Sequence, residues 1–295
     1  MKTSLHDLLA SNRAVVADGA MGTMLFALGL ANGESPELWN VEQAEKVRSV
    51  HRAYIEAGAQ IVLTNTFGCN RVRLGMHGLE ERAAEFNVAG ARNARAEADA
   101  AADPVVVGGS MGPTGSMLMP YGTLEFDEAV DAFAEQAQAL IEGGVDVLWI
   151  ETMSDLEEVR AAVEGCRRAD PAFPLVTTMT FDSHGRTMMG VTPVRALETL
   201  GALHVTALGG NCGNGTKEIE TVIEQMRAAD PAVVLVAKAN AGLPRMTDAG
   251  AVYDATPEDM AQYALRIRDL GARVIGACCG SSPDHIRAMA AALHA

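Results

Sequence analysis

Cys278 and Cys279 stand side by side before Gly280, at the end of the apolar run 272–277, and Cys212 ends a similar run in Asn211-Cys212-Gly213. Three thiolates drawn to one point would supply three ligands of a tetrahedral zinc ion and leave the fourth position free, which is how a catalytic zinc site is built. Adjacent residues of a regular strand point to opposite faces, so Cys278 and Cys279 can share a point only where the strand breaks and the chain turns. Gly280 permits such a turn. Cysteine is also a common core residue, and that is the reading for Cys69 and Cys166. Five cysteines make an odd count for a disulfide framework, and a vicinal pair is strained.

To bring Cys212 to the other two, the chain must place distant segments at one end of a single scaffold. Short apolar runs alternate with amphipathic, Ala- and Glu-rich stretches along all 295 residues. Strands are expected at 14–18, 60–65, 105–110, 146–151, 175–180, 205–211, 233–240 and 273–278. Helices are expected at 41–57, 79–98, 125–142, 155–168, 193–203, 216–229, 257–270 and 283–293. Strand-helix alternation argues for a parallel sheet, and eight units argue for closure into an α/β (β/α)8 TIM barrel, with an open doubly wound sheet as the alternative. No linker or low-complexity segment divides the chain, so residues 1–295 are expected to form one domain.

Composition narrows the partners. A formal net charge of −15 disfavours nucleic acid, because no basic cluster stands against it. No apolar run approaches the roughly 20 residues needed to cross a bilayer. The start lacks a charged segment followed by an apolar one, so a reducing, cytoplasmic setting is expected. His51, His184, His204 and His285 have no ligand-like spacing and read as surface or helix residues.

Polar groups gather at the C-terminal ends of the expected strands, the rim where barrel enzymes assemble their sites. Asp18-Gly19-Ala20-Met21-Gly22-Thr23 follows the first strand, Asn65-Thr66-Phe67 the second, Ser110 the third and Glu151-Thr152 the fourth. Asn211-Cys212 ends the sixth, Asn240-Ala241-Gly242-Leu243-Pro244 the seventh and Cys278-Cys279-Gly280 the eighth. Over nearly its whole length this pattern resembles the homocysteine S-methyltransferases, which include betaine-homocysteine methyltransferases and the homocysteine-binding module of cobalamin-dependent methionine synthase.

The resemblance implies a zinc site of Cys212, Cys278 and Cys279 in which the substrate thiol becomes the fourth ligand. It assigns Asp18 and Glu151 to the amino group of homocysteine, and two neighbouring carboxylates would favour a cation. The backbone of Gly19, Ala20 and Met21 is the candidate for the substrate carboxylate. Asn240 is the candidate to complete the metal shell before substrate arrives, with a purely structural role as its alternative. Trp39 resembles the donor-site tryptophan of betaine enzymes, where an aromatic face would meet an onium ion, and Phe67 could join it. Gly68 departs from the pattern, because animal betaine enzymes carry tyrosine there. The expected function is methionine synthesis from homocysteine and a small onium donor such as glycine betaine. The alternatives are S-methylmethionine, or methylcobalamin carried by a separate corrinoid protein. A structural zinc or binding barrel, and a Schiff-base barrel using Lys238, are the readings outside methyl transfer. A homo-oligomer is compatible with all of them.

Overall fold

The computed structural model describes residues 3–11, 13–182, 184–243, 245–247 and 250–295; Pro244, named above, lies outside them. The strands are β1 (Val15–Val16), β2 (Ile61–Leu63), β3 (Val106–Met111), β4 (Val147–Met153), β5 (Leu175–Met179), β6 (Ala207–Cys212), β7 (Leu235–Ala239), β8 (Arg245–Thr247), β9 (Gly250–Val252) and β10 (Ala272–Ala277). The helices are α1 (Leu5–Ala10), α2 (Met21–Ala27), α3 (Trp39–Glu42), α4 (Ala44–Glu56), α5 (Arg71–Leu74), α6 (Ala83–Ala100), α7 (Phe126–Gly143), α8 (Leu156–Ala169), α9 (Pro193–Ala202), α10 (Thr216–Ala229), α11 (Pro257–Asp269) and α12 (Pro283–His294).

Eight strands form one parallel sheet in the order β1-β10-β7-β6-β5-β4-β3-β2, and a parallel bridge between Ala17 and Ile61 joins its two ends. The sheet is therefore the (β/α)8 barrel that the alternation predicts. All eight expected strands are present, with ends shifted by one or two residues, as is usual where ladders fray. The antiparallel pair β8 and β9 interrupts the connection from β7 to α11 and was not anticipated. Prolines at the first turn of α9, α11 and α12 start those helices where the missing N–H costs nothing.

Period-two alternation along each strand sorts the core into two layers. Val15, Ile61, Leu63, Val106, Val147, Trp149, Val176, Val236 and Val274 fill the barrel, with Leu5 of α1 packed against them. Their neighbours Val16, Val62, Val107, Leu148, Ile150 and Ile275 face the helices. Cys69 and Cys166 are buried core residues, as expected. His51 is not a surface residue: it lies wholly buried in α4, and burial lowers its pKa to about 4, which keeps it neutral. His285 belongs to the capping box of α12 with Ser282.

Inside so crowded a barrel, some inward positions can hold no side chain at all. A Cβ on Gly209 would come within 1.9 Å of the Val236 carbonyl oxygen, and backbone cannot give way as a flexible side chain can. Gly209→Ala should destabilise the protein by about 3 kcal/mol, read as a lower denaturation midpoint. An unchanged midpoint would show that this close approach of β6 to β7 is not a constraint.

Candidate active site

The alternation that buries Trp149 and Val236 also decides what stands above them. Two residues further along the same strands come Glu151 and Lys238, so the inward positions change from apolar to charged at the C-terminal rim. There a cavity of about 800 Å³ opens, lined among others by Asp18, Phe67, Glu151, Cys212, Lys238 and Cys279.

The three cysteines converge. Their sulfur atoms all lie within 4.8 Å of one another, and Cys212 Sγ is 3.9 Å from Cys279 Sγ. Zinc-sulfur bonds of about 2.3 Å at tetrahedral angles imply sulfur separations of roughly 3.8 Å, so the cluster fits such an ion. Cys278 and Cys279 meet there because β10 ends at Ala277 and the chain turns through Gly280 at φ 80°, as the paired thiols require. The turn is fixed from both sides: Cys278 N–H donates to the Ala239 carbonyl at 2.7 Å, and Ala241 N–H donates to the Cys279 carbonyl at 2.9 Å. Cys212 is reached from β6 through a left-handed backbone, φ 63°. The neighbouring Asn211 side chain accepts from Thr152 N–H at 2.8 Å and from Thr178 Oγ1 at 2.7 Å, tying β6 to β4 and β5. Hydrogen bonds from Cys212 and Cys278 push the Cys279 thiol down to about 3, and the same cluster pushes Cys212 up. Three thiols this close share one negative charge unless a cation joins them.

Asp18 and Glu151 flank this cluster, both with pKa raised by burial but differently paired. Asp18 Oδ1 accepts from Lys238 Nζ at 2.8 Å and Oδ2 accepts from Leu63 N–H at 2.7 Å, and both members of the ion pair have side chains only 3% exposed. Burial opposes the Lys238 charge, but Asp18 and Glu151 outweigh it and raise its pKa. Glu151 Oε1 accepts from Ser110 Oγ at 2.5 Å, while among the described residues no hydrogen bond reaches its other oxygen. Burial pushes its carboxyl up to about 7, against the pull of Lys238.

The remaining expected residues divide. Gly19, Ala20 and Met21 line the cavity, but the Ala20 N–H already donates to Ser281 Oγ at 3.0 Å. Phe67 lines it too, its ring against Gly112. Trp39 does not line the cavity: it is buried, its indole N–H donates to Glu34 Oε1 at 3.1 Å, and Lys46 Nζ covers its ring at 4.4 Å. Asn240 Nδ2 donates to the Gly213 carbonyl at 2.7 Å, and its buried Oδ1 has no partner. Sequence reasoning gave no site role to Tyr253, which lines the cavity with Cys279, nor to Glu37, a buried cavity residue that accepts from Gly68 N–H at 2.7 Å. It also missed the pairing of Lys238, although a lone lysine inside the apolar run 233–240 was a visible signal.

Fold and site together define a barrel enzyme with a three-thiol centre at its C-terminal rim. The chain belongs to the homocysteine S-methyltransferase family, whose model matches residues 15–293. It is 36% identical over 307 aligned residues to a methionine synthase of Mycobacterium tuberculosis and 35% identical to one of Mycobacterium leprae. Each alignment covers 99% of this chain and 25% of the relative, so the chain spans about a quarter of the length of these relatives. The solved structure of the homocysteine methyltransferase MmuM from Escherichia coli, in its metallated form, superposes with a TM-score of 0.81 at 26% identity, covering 97% of this chain and 99% of that one.

A carboxylate raised this far costs stability once ionised. Glu151 goes from an ordinary value of 4.5 to about 7 on folding, so its contribution is intact below 4.5 and is lost as the pH rises through 7. Glu151→Gln should therefore raise stability by on the order of 3 kcal/mol near pH 8, and by progressively less as the pH falls toward 4.5. Thermal melts across that range check it, and a pH-independent difference would contradict it.

Proposed function

We propose that the protein is a zinc-dependent homocysteine S-methyltransferase that forms methionine, with residues 1–295 acting as one homocysteine-binding barrel in a reducing, cytoplasmic compartment. The observation that carries this reading is the convergence of Cys212, Cys278 and Cys279 at the mouth of one cavity. Zinc held by these sulfurs would lower the pKa of the substrate thiol, which near ~8.5 is mostly protonated at neutral pH, and so supply the nucleophile. The unpartnered Oδ1 of Asn240, whose amide is anchored one residue beyond Cys212, makes Asn240 the candidate fourth ligand in the substrate-free enzyme.

The chain's own groups aim the substrate. Carboxylate at the strand ends meets its ammonium, and the N–H groups of Gly19 and Met21 remain for its carboxylate once Ala20 is committed to Ser281. Held at both ends, homocysteine presents sulfur to a donor methyl in the same cavity, and rate comes from keeping nucleophile, carbon and leaving group in line.

A small onium donor, glycine betaine or S-methylmethionine, suits a cavity of about 800 Å³ that includes the buried carboxylate of Glu37. Trp39 is not part of that donor pocket, so Phe67 and Phe26 are the phenyl rings available to face an onium group there. The similarity to methionine synthases favours a second reading, in which a separate corrinoid protein delivers the methyl group.

Cys212→Ala, Cys278→Ala and Cys279→Ala should each lower bound zinc and reduce methionine formation at least 100-fold, because two thiolates leave the site incomplete. Full activity in any one of the three sinks the model. Incubating the zinc-loaded protein and homocysteine with glycine betaine, S-methylmethionine or a methylcorrinoid protein separates the donors. Turnover only with the corrinoid protein would replace the onium reading.

A further inference from the structure

The two carboxylates of the site are not equivalent, and the difference lies in Lys238. Lys238 is inward on β7, opposite Gly276 of β10, where a Cβ would come within 3.1 Å of Lys238 Cγ; glycine there leaves the lysine its space. Its ammonium stands 6.0 Å from the centre of the Trp149 ring and 2.8 Å from Asp18 Oδ1. Leu63 N–H takes the other Asp18 oxygen. Asp18 is thus neutralised and held on both sides, whereas Glu151 keeps one oxygen unbonded at the cavity. Asp18 and Lys238 cancel as a pair, so Glu151, when ionised, carries one uncompensated negative charge, which one substrate ammonium closes to zero. Closure matters because a buried uncompensated charge is costly.

We infer that Lys238 is a positioning residue that withdraws Asp18 from substrate recognition, so that the ammonium of the amino-acid substrate is paired by Glu151 alone. The inference rests on the homocysteine reading and sharpens it: the site takes a thiol with one cationic amine, and Glu151 reads that amine.

The experiment compares, by calorimetry on zinc-loaded protein, the dissociation constants of homocysteine and of 4-mercaptobutanoate, which lacks only the amine. Wild type should prefer homocysteine by roughly 100-fold, the scale of a desolvated charge pair. Glu151→Gln should bring the two ligands within about 3-fold of each other. Adding Lys238→Met to Glu151→Gln frees Asp18 and restores a net negative charge, so the preference should return to at least about 10-fold. A lysine that only supports the fold would change the melting midpoint and leave this ratio where Glu151→Gln put it. A preference of about 10-fold or more in Glu151→Gln alone, or no recovery in the double variant, overturns the inference. The first of these outcomes needs only the single variant. Failure of wild type to bind either ligand would instead overturn the homocysteine reading, and this inference with it.

Discussion

The convergence of three sulfur atoms within 4.8 Å of one another is the constraint on which the rest of the structure turns. Thiols so close cannot all ionise in a partly buried site without a cation between them. A scaffold must hold them there, and no single strand can do so, because its side chains alternate. The barrel solves the problem by adjacency. β6 and β10 both flank β7, so Cys212 and the vicinal pair approach from the two sides of one strand. Backbone hydrogen bonds to the Ala239 carbonyl and from the Ala241 N–H, at the end of β7 and just beyond it, then fix the turn that carries Cys278 and Cys279.

Much of this was legible in the sequence, and the physical reason is periodicity. Parallel strands buried on both faces read as apolar runs, and eight of them separated by amphipathic helices leave few architectures. The cysteines were legible because the order Cys212, Cys278, Cys279 sits where such runs end. The partnership of Asp18 with Lys238 was not, because it joins residues 220 positions apart whose register depends on closing the barrel. Trp39 shows the opposite error. A tryptophan in a suitable sequence neighbourhood was assigned to the donor pocket, yet its depth and its cover by Lys46 depend on how α3 and α4 pack.

The same alternation that fills the barrel with Trp149 and Val236 raises Glu151 and Lys238 one layer higher. Chemistry and core therefore share one pattern, and the charged layer rests on a dry one. Burial in such a place pushes a carboxylate one layer above Trp149 toward neutrality, while the carboxylates beside it let a buried lysine keep its proton. The glycines facing inward, Gly209 and Gly276, are the counterpart of the large side chains beside them.

The first and last strands of the barrel, β1 and β10, lie side by side, and Ala277 N–H donates to the Asp18 carbonyl at 3.1 Å. Residues that meet across this seam are among the first and the last of the barrel to leave a ribosome. The thiol centre cannot be completed until the eighth barrel strand has emerged and docked, whatever the earlier strands have already built. Any metal capture by the three thiols is thereby placed after the last barrel strand, and a chain stalled before β10 carries only Cys212 of the three at this rim.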